Sequence, residues 1–215
     1  MRTDNKIKRE IKRILLSEGA VDVGFCRVDE NEKYGMNYAV SIVVPLEREE
    51  YFKSYEVSLS VADGLSYSAA NYLKKAGFNA VPVCASTWSV NGKDGQAVTF
   101  SHRSAAVLSG LGAIGKSSMF IYKGGKGSVL LSSVLTDCPL EAEEREAFSP
   151  CEHCDKCVKA CPSGAITGVQ RREGIKPEQL LDAEKCAAYM RKVSDPDGKQ
   201  TLCGICLKVC PYFQK

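Results

Sequence analysis

The residues best suited to chemistry are cysteines. The chain has 215 residues and 11 cysteines, and eight of these follow Pro150. They read Cys151-x2-Cys154-x2-Cys157-x3-Cys161-Pro162, then Cys186 alone, then Cys203-x2-Cys206-x3-Cys210-Pro211. Three cysteines at two-residue gaps, a fourth three residues on and a proline after it form the bacterial ferredoxin run for an iron–sulfur cluster. The second run is the same pattern short of one early cysteine, and Cys186 can supply it. Eight thiolates in two sets of four meet the demand of two [4Fe–4S] clusters.

The spacing also predicts how the sets divide. Three closely spaced cysteines can curl round one cubane, whereas the fourth lies where the chain has turned away and reaches the other cluster. Cys151, Cys154, Cys157 and Cys210 are therefore assigned to one cluster, and Cys161, Cys186, Cys203 and Cys206 to the second. Pro162 and Pro211 lack an N–H and bend the chain away after the last ligand. Zinc competes poorly, since a tetrahedral ion wants two CxxC pairs and a third nearby cysteine is surplus. A disulfide framework needs a secreted chain, and Lys and Arg interrupt the apolar residues of Met1 to Leu16, so no signal peptide is read there. The expected compartment is reducing, most simply the cytoplasm.

Bulk properties narrow the field. The chain is 44% hydrophobic and 26% charged, which is ordinary for a globular protein. A net charge of +3 is too small to argue for nucleic acid by itself. No apolar run approaches the roughly 18 residues of a membrane span, so no membrane partner is expected.

The elements that must position the cysteines are legible from periodicity. Ile7, Ile11, Ile14 and Leu15 predict a helix over 5–17 ended by Gly19, with Lys6, Lys8, Arg9, Lys12 and Arg13 as a solvated face. Val21 to Val28 and Tyr38 to Val44 read as strands, the second closed by Pro45. Leu59 to Ala76 predicts a helix capped by Gly77. Phe78 to Cys84 reads as a strand that Pro82 confines to a sheet edge. Asn91-Gly92 and Asp94-Gly95 are turn signals. Ser101 to Ser109 reads as helix, Gly124 to Gly127 as a turn and Ser128 to Leu135 as a strand. The acidic stretch Glu141 to Glu146 reads as a linker or short helix. The expected organisation is α+β, with an α/β domain over 1–147 and a ferredoxin-like two-cluster domain over 148–215. Cys26, Cys84 and Cys138 are expected as small buried hydrophobes.

Gly110-Leu111-Gly112-Ala113-Ile114-Gly115-Lys116-Ser117 fits G-x-x-x-x-G-K-[ST], in which backbone N–H groups cradle phosphate. It also approximates the dinucleotide fingerprint. Both motifs need a strand just before the loop, and Arg103 to Leu108 reads as helix. A loop that only packs helix on sheet is the bland alternative.

A third reading rests on resemblance. Arg103-Ser104-Ala105-Ala106 through Gly110 to Lys116, then Gly127-Ser128 leading to Leu135-Thr136-Asp137-Cys138-Pro139-Leu140, then the cysteine array, resembles the epoxyqueuosine reductases and the related reductive dehalogenases, in a truncated form. Ala183-Glu184-Lys185-Cys186-Ala187-Ala188-Tyr189 resembles the stretch that carries the isolated cluster ligand in that family. The resemblance implies a flavin-reductase-like α/β domain holding a cobalamin without its lower base. A ferredoxin-like module would deliver electrons to it. Arg103, Gly110, Gly112, Ile114, Gly115, Lys116 and Ser128 would bind the corrin, mostly through backbone, with Lys116 meeting an amide or phosphate.

The departures are specific. Gln96 stands near the place of the family's proton-donating Asp, with Asp94 offset, and His102 replaces a Glu. No D-x-H-x-x-G motif is present. His102 and His153 read as unremarkable, and Trp88 as a core residue. The sequence stops five residues after Cys210, so the helical tail that grips tRNA is not expected and tRNA is an unlikely partner. No catalytic residue is assigned. Two function classes remain open: a cobalamin-dependent iron–sulfur reductase of a small substrate, and a non-catalytic electron carrier without cobalamin that docks a redox partner protein. A cluster-linked ATPase is a third.

Overall fold

The computed structural model describes residues 2–28, 36–46, 55–85, 100–125, 127–144, 146–172, 174–193 and 203–214. In chain order the elements are α1 (Arg2–Ser17), β1 (Asp22–Arg27), β2 (Tyr38–Leu46), α2 (Tyr55–Lys75), β3 (Ala80–Val83), α3 (His102–Leu108), β4 (Gly112–Ile114), β5 (Phe120–Tyr122), β6 (Ser128–Thr136), α4 (Lys156–Ala160), α5 (Pro177–Leu180), α6 (Ala183–Val193) and α7 (Ile205–Lys208). The chain divides into two compact units: residues 1–111 with 127–147, and residues 112–126 with 148–215. The mixed α+β architecture is as the patterning predicts. The expected boundary at residue 147 omits one segment, because 112–126 groups with the cysteine-rich residues and not with the sheet that flanks it in sequence.

The first unit is an antiparallel sheet in the order β1-β2-β6-β3. Alternation sets its two faces. Val23, Phe25, Val40, Ile42, Val44 and Val134 face one way, against Ile7, Ile11 and Leu15 of α1 and Ala62, Leu65, Ala69 and Leu73 of α2. Cys26, Val28, Ala39 and Leu135 face the other way, against Ala105 of α3. Where α3 lies close, this face carries the small residues Gly24 and Ser41. A Cβ on Gly24 would meet Cβ of Ser109 at 2.6 Å. The Ser109 hydroxyl donates to Ser41 Oγ at 3.2 Å.

Proline positions follow hydrogen bonding. Pro82 lies in β3, at the sheet edge, as its missing donor demands. Pro45 lies inside β2, opposite Val129 of β6, so the strand outruns its expected end. Val21 N–H donates to Val43 C=O on the β1 side, and β1 has no residue further along that edge. Pro45 therefore points its missing donor where no strand needs one.

Two sequence expectations are corrected. The basic face of α1 is not simply solvated. Lys8 Nζ donates to the Glu141 carbonyl at 2.6 Å. Lys12 Nζ pairs with Glu143 at 2.7 Å. Both ammonium groups lie 5.6 Å from the Phe25 ring centroid. The acidic stretch forms no helix among its described residues, and these bonds tie it to α1. Cys26 and Cys138 are buried as expected, whereas Cys84 is half-buried, with its sulfur 3.9 Å from Ser66 Oγ. Trp88, Asn91, Asp94 and Gln96 lie outside the described residues.

Candidate metal centre

The second unit begins with a hairpin. Gly112 pairs with Tyr122, Ala113 with Ile121 and Ile114 with Phe120. A β-strand therefore stands where both nucleotide motifs require a turn into a helix. The glycines have internal explanations. Gly110 closes α3 with a φ of 67°, the left-handed cap that glycine adopts without strain. Leu111 N–H donates back to Ala106 C=O at 3.0 Å. A Cβ on Gly112 would lie 2.1 Å from the Ile121 carbonyl oxygen, and one on Gly115 would lie 2.8 Å from Ile121 Cδ1 and 3.2 Å from Cys151 Sγ. Gly115 is small because a cysteine sulfur packs against it.

The hairpin tip is unusual. Ser118 N–H donates to Gly115 C=O, and Gly115 N–H donates to Met119 C=O, both at 2.9 Å. Ser118 takes a φ of 60°, a left-handed conformation that a non-glycine residue enters at some cost. Lys116, Ser117 and Ser118 are all buried. Lys116 Nζ lies 2.7 Å from Asp155 Oδ1, and Asp155 stands between Cys154 and Cys157. The hydrogen bond to Lys116 holds the Asp155 carboxyl below its ordinary range. The bond to Asp155 in turn raises Lys116, assisted by the Cys151 and Cys154 sulfurs. The ammonium expected to meet a cofactor is thus held by a carboxylate of its own unit.

The cysteines sit on a repeated hexapeptide. Cys157-Val158-Lys159-Ala160-Cys161-Pro162 and Cys206-Leu207-Lys208-Val209-Cys210-Pro211 have the same form. α4 and α7, which run through these repeats, pack together. Cys161 is the residue at which α4 ends, in extended conformation with φ −70° and ψ 111°. The chain leaves the helix there, so Cys157 and Cys161 diverge although four residues apart. Cys161 and Cys210 are each followed by a turn that aims donors at the sulfur. Burial pushes Cys161 up, but Ser163 Oγ and the backbone at Ile166, Ala165 and Ser163 outweigh it and hold the thiol below its ordinary value. Burial raises Cys210, and the backbone at Tyr212 and Phe213 opposes this.

Mutual charge shows which thiols share a neighbourhood. Burial raises Cys157, and Cys151, Cys210 and Cys154 raise it further. Burial raises Cys186, followed by Cys161 and Cys203. Burial drives Cys206 to about 11, with contributions from Cys157, Cys186 and Cys203. Cys186 reaches its place through a bridge. Ile166 pairs with Leu181, Asp182 N–H donates to Ala165 C=O at 2.9 Å, and Cys186 N–H donates to Asp182 C=O at 3.1 Å. The bridge carries the start of α6 back to the turn that follows Cys161. His153 is exposed. Among the described residues no three His, Cys, Asp or Glu side chains converge tightly enough for a single metal ion.

The remaining predicted site residues belong to the first unit. Arg103 is exposed on α3, yet protein crowds it enough to lower its pKa. Ser128 begins β6 and is half-buried. The hairpin's tie to the cysteine loop escaped sequence reasoning, and only the β-favouring run Phe120-Ile121-Tyr122 hinted at a second strand.

Comparison with known proteins agrees with this layout. Residues 150–213 match the 4Fe-4S double cluster binding domain. The chain is 32% identical over 120 residues to an epoxyqueuosine reductase of Cyclobacterium marinum, covering 51% of this chain and 36% of that protein. It is 32% identical over 152 residues to the tetrachloroethene reductive dehalogenase of Sulfurospirillum multivorans, covering 66% of this chain and 27% of that protein. The chain thus spans about a third of the length of these curated relatives. A solved epoxyqueuosine reductase shares the fold, with a TM-score of 0.69 at 18% identity over 98% of this chain and 66% of that one. Among the described residues no helix is long and apolar enough to cross a membrane.

Proposed function

We propose that this relative of the epoxyqueuosine reductases and reductive dehalogenases is an oxidoreductase that carries two [4Fe–4S] clusters and serves a cobalamin-dependent reduction. Cys151, Cys154, Cys157 and Cys210 would hold one cluster, and Cys161, Cys186, Cys203 and Cys206 the other. The observation that carries this reading is the grouping of the thiols, in which Cys157 is raised by Cys151, Cys154 and Cys210, Cys186 by Cys161 and Cys203, and Cys206, where the two sets approach, by Cys157, Cys186 and Cys203. Such clusters supply one-electron transfer, at potentials set by cluster charge, hydrogen bonds to sulfur and exposure. The protein's part is to hold thiolates in place and to stabilise them. The donors following Cys161 and Cys210 do this at the two Cys-Pro turns.

The cobalamin part rests on kinship and on the hairpin. Among the described residues β4 pairs with β5 alone in its sheet, and Gly112 and Ala113 put little side chain beside its backbone donors and acceptors. Those groups suit the amides of a corrin. Lys116 is engaged by Asp155 and is not needed for this role. A second reading, an electron carrier without cobalamin, is favoured by the internal explanations for Gly110, Gly112 and Gly115. In either case a redox partner protein and a reducing, cytoplasmic setting belong to the proposal, and a small-molecule substrate belongs to the first.

Anaerobic reconstitution should give about eight iron atoms per chain, and Cys186→Ser should retain about half of them. One zinc and no iron would overturn the cluster assignment. Titration of the loaded protein with cobalamin should then give a saturable one-to-one shift to a base-off spectrum. The absence of any shift would leave the carrier reading.

A further inference from the structure

The most economical way to end a hairpin is with its tip in water, yet here the tip is buried and its backbone is strained at Ser118. The Lys116 side chain is only 9% exposed, which needs a reason, since burying an ammonium is costly unless it is paired. Asp155 supplies the pairing, but the pair is lopsided. The Asp155 side chain is 48% exposed. Water and salt reach the Asp155 carboxylate, while most of the Lys116 side chain is covered by protein. Position completes the picture. The residue before Lys116 packs against Cys151 Sγ, and the residue before Asp155 is Cys154. A fixed positive charge therefore stands beside two thiols of one set. Beside the other set, the lysine paired near Cys186, Lys185, has a side chain that is 63% exposed.

From this geometry we infer that the hairpin tip holds Lys116 to raise the reduction potential of the cluster carried by Cys151, Cys154, Cys157 and Cys210. The inference rests on the cluster assignment proposed above. One electron entering the cluster adds one negative charge beside those thiolates, and a nearby ammonium stabilises that added charge. The sequence motif that resembles a phosphate-binding loop would thus serve a different anion, the cluster with its thiolates.

The test is an anaerobic redox titration of the reconstituted full chain with dithionite, followed by the EPR signals of the two clusters. Lys116→Gln should lower the midpoint of one cluster and leave the other in place. Lys116→Arg should keep both near their original values. Asp155→Asn, which removes the opposing charge, should raise the same midpoint that the glutamine variant lowers. Clusters present with unmoved midpoints in Lys116→Gln, or both midpoints moving together, would overturn the inference while leaving the cluster assignment intact. Should Lys116→Gln take up no iron, an unchanged or lowered midpoint in Asp155→Asn would overturn it. A wild-type chain that binds no iron overturns both.

Discussion

The sheet unit and the cysteine unit solve the same problem with different means. In the first, Ile11, Leu15, Phe25, Ile42 and Leu73 are fully buried between two long helices and one face of the sheet. In the second, α4, α5 and α7 are only five, four and four residues long, and neither α6 nor α7 contributes a buried residue. Helices that short do not persist alone. Phe120, Ile121, Ala165, Ile166, Leu180 and Phe213 are buried, and under the proposed ligand sets thiolate–metal bonds would supply the rest, as in other small units that cannot bury enough surface. The difference implies that the proposed clusters would be structural as well as electronic.

Removing iron is the strongest test of that contrast. Chelation should strip hydrogen-exchange protection from residues 151–213 and leave the amides of β2 and β6 protected. Equal loss in both units would break the comparison. The reverse perturbation is Phe25→Ala, which should cost about 3–5 kcal/mol as a buried aromatic, read by urea unfolding of the sheet unit. The folded fraction should keep its full iron content, and iron lost in step with stability would show that the units are not separable.

The smallest effect concerns acid. Burial depresses the pKa of His102, against smaller opposing effects from the Cys84 backbone and Asp63. Its Nδ1 lies 2.9 Å from Ser133 Oγ, inside the sheet unit. The unfolded chain then binds more protons than the folded one once the pH falls below about 6.5. The His102 contribution is complete above that value and is lost as the pH falls toward the folded pKa. His102→Gln should flatten this part of the stability curve between about pH 7.5 and 5, read as the urea midpoint. Identical slopes in both proteins would remove His102 from the acid response.

What was legible from sequence follows from range. The cysteine spacing is a local code, written within two short runs and one isolated residue. α1, α2 and α3 declare themselves through periodicity and their closing glycines. The hairpin does not, because Gly112–Ile114 and Phe120–Tyr122 are too short for a period, and the cysteine sulfur beside Gly115 lies 36 positions on. The bonds from Lys8 and Lys12 to Glu141 and Glu143 span more than 130 positions, and nothing in a helical face predicts so distant a partner. The phosphate-loop pattern failed for a related reason, since its meaning depends on the element before it and the element after it.

The divergence of Cys157 from Cys161 at the end of α4 has a topological consequence. Under the proposed ligand sets, each Cys-x3-Cys repeat gives one thiol to each cluster, Cys157 and Cys161 from the first and Cys210 and Cys206 from the second. The clusters then act as cross-links that stitch the two repeats twice, closing chain loops of up to about 60 residues between Cys151 and Cys210. A single covalent closure of that size restricts the unfolded chain by about 4 kcal/mol. Seating either cluster draws both helices into register and so preassembles the other site. With all eight thiols present the two sites therefore fill together, and a half-loaded chain is a transient on the way to a full one.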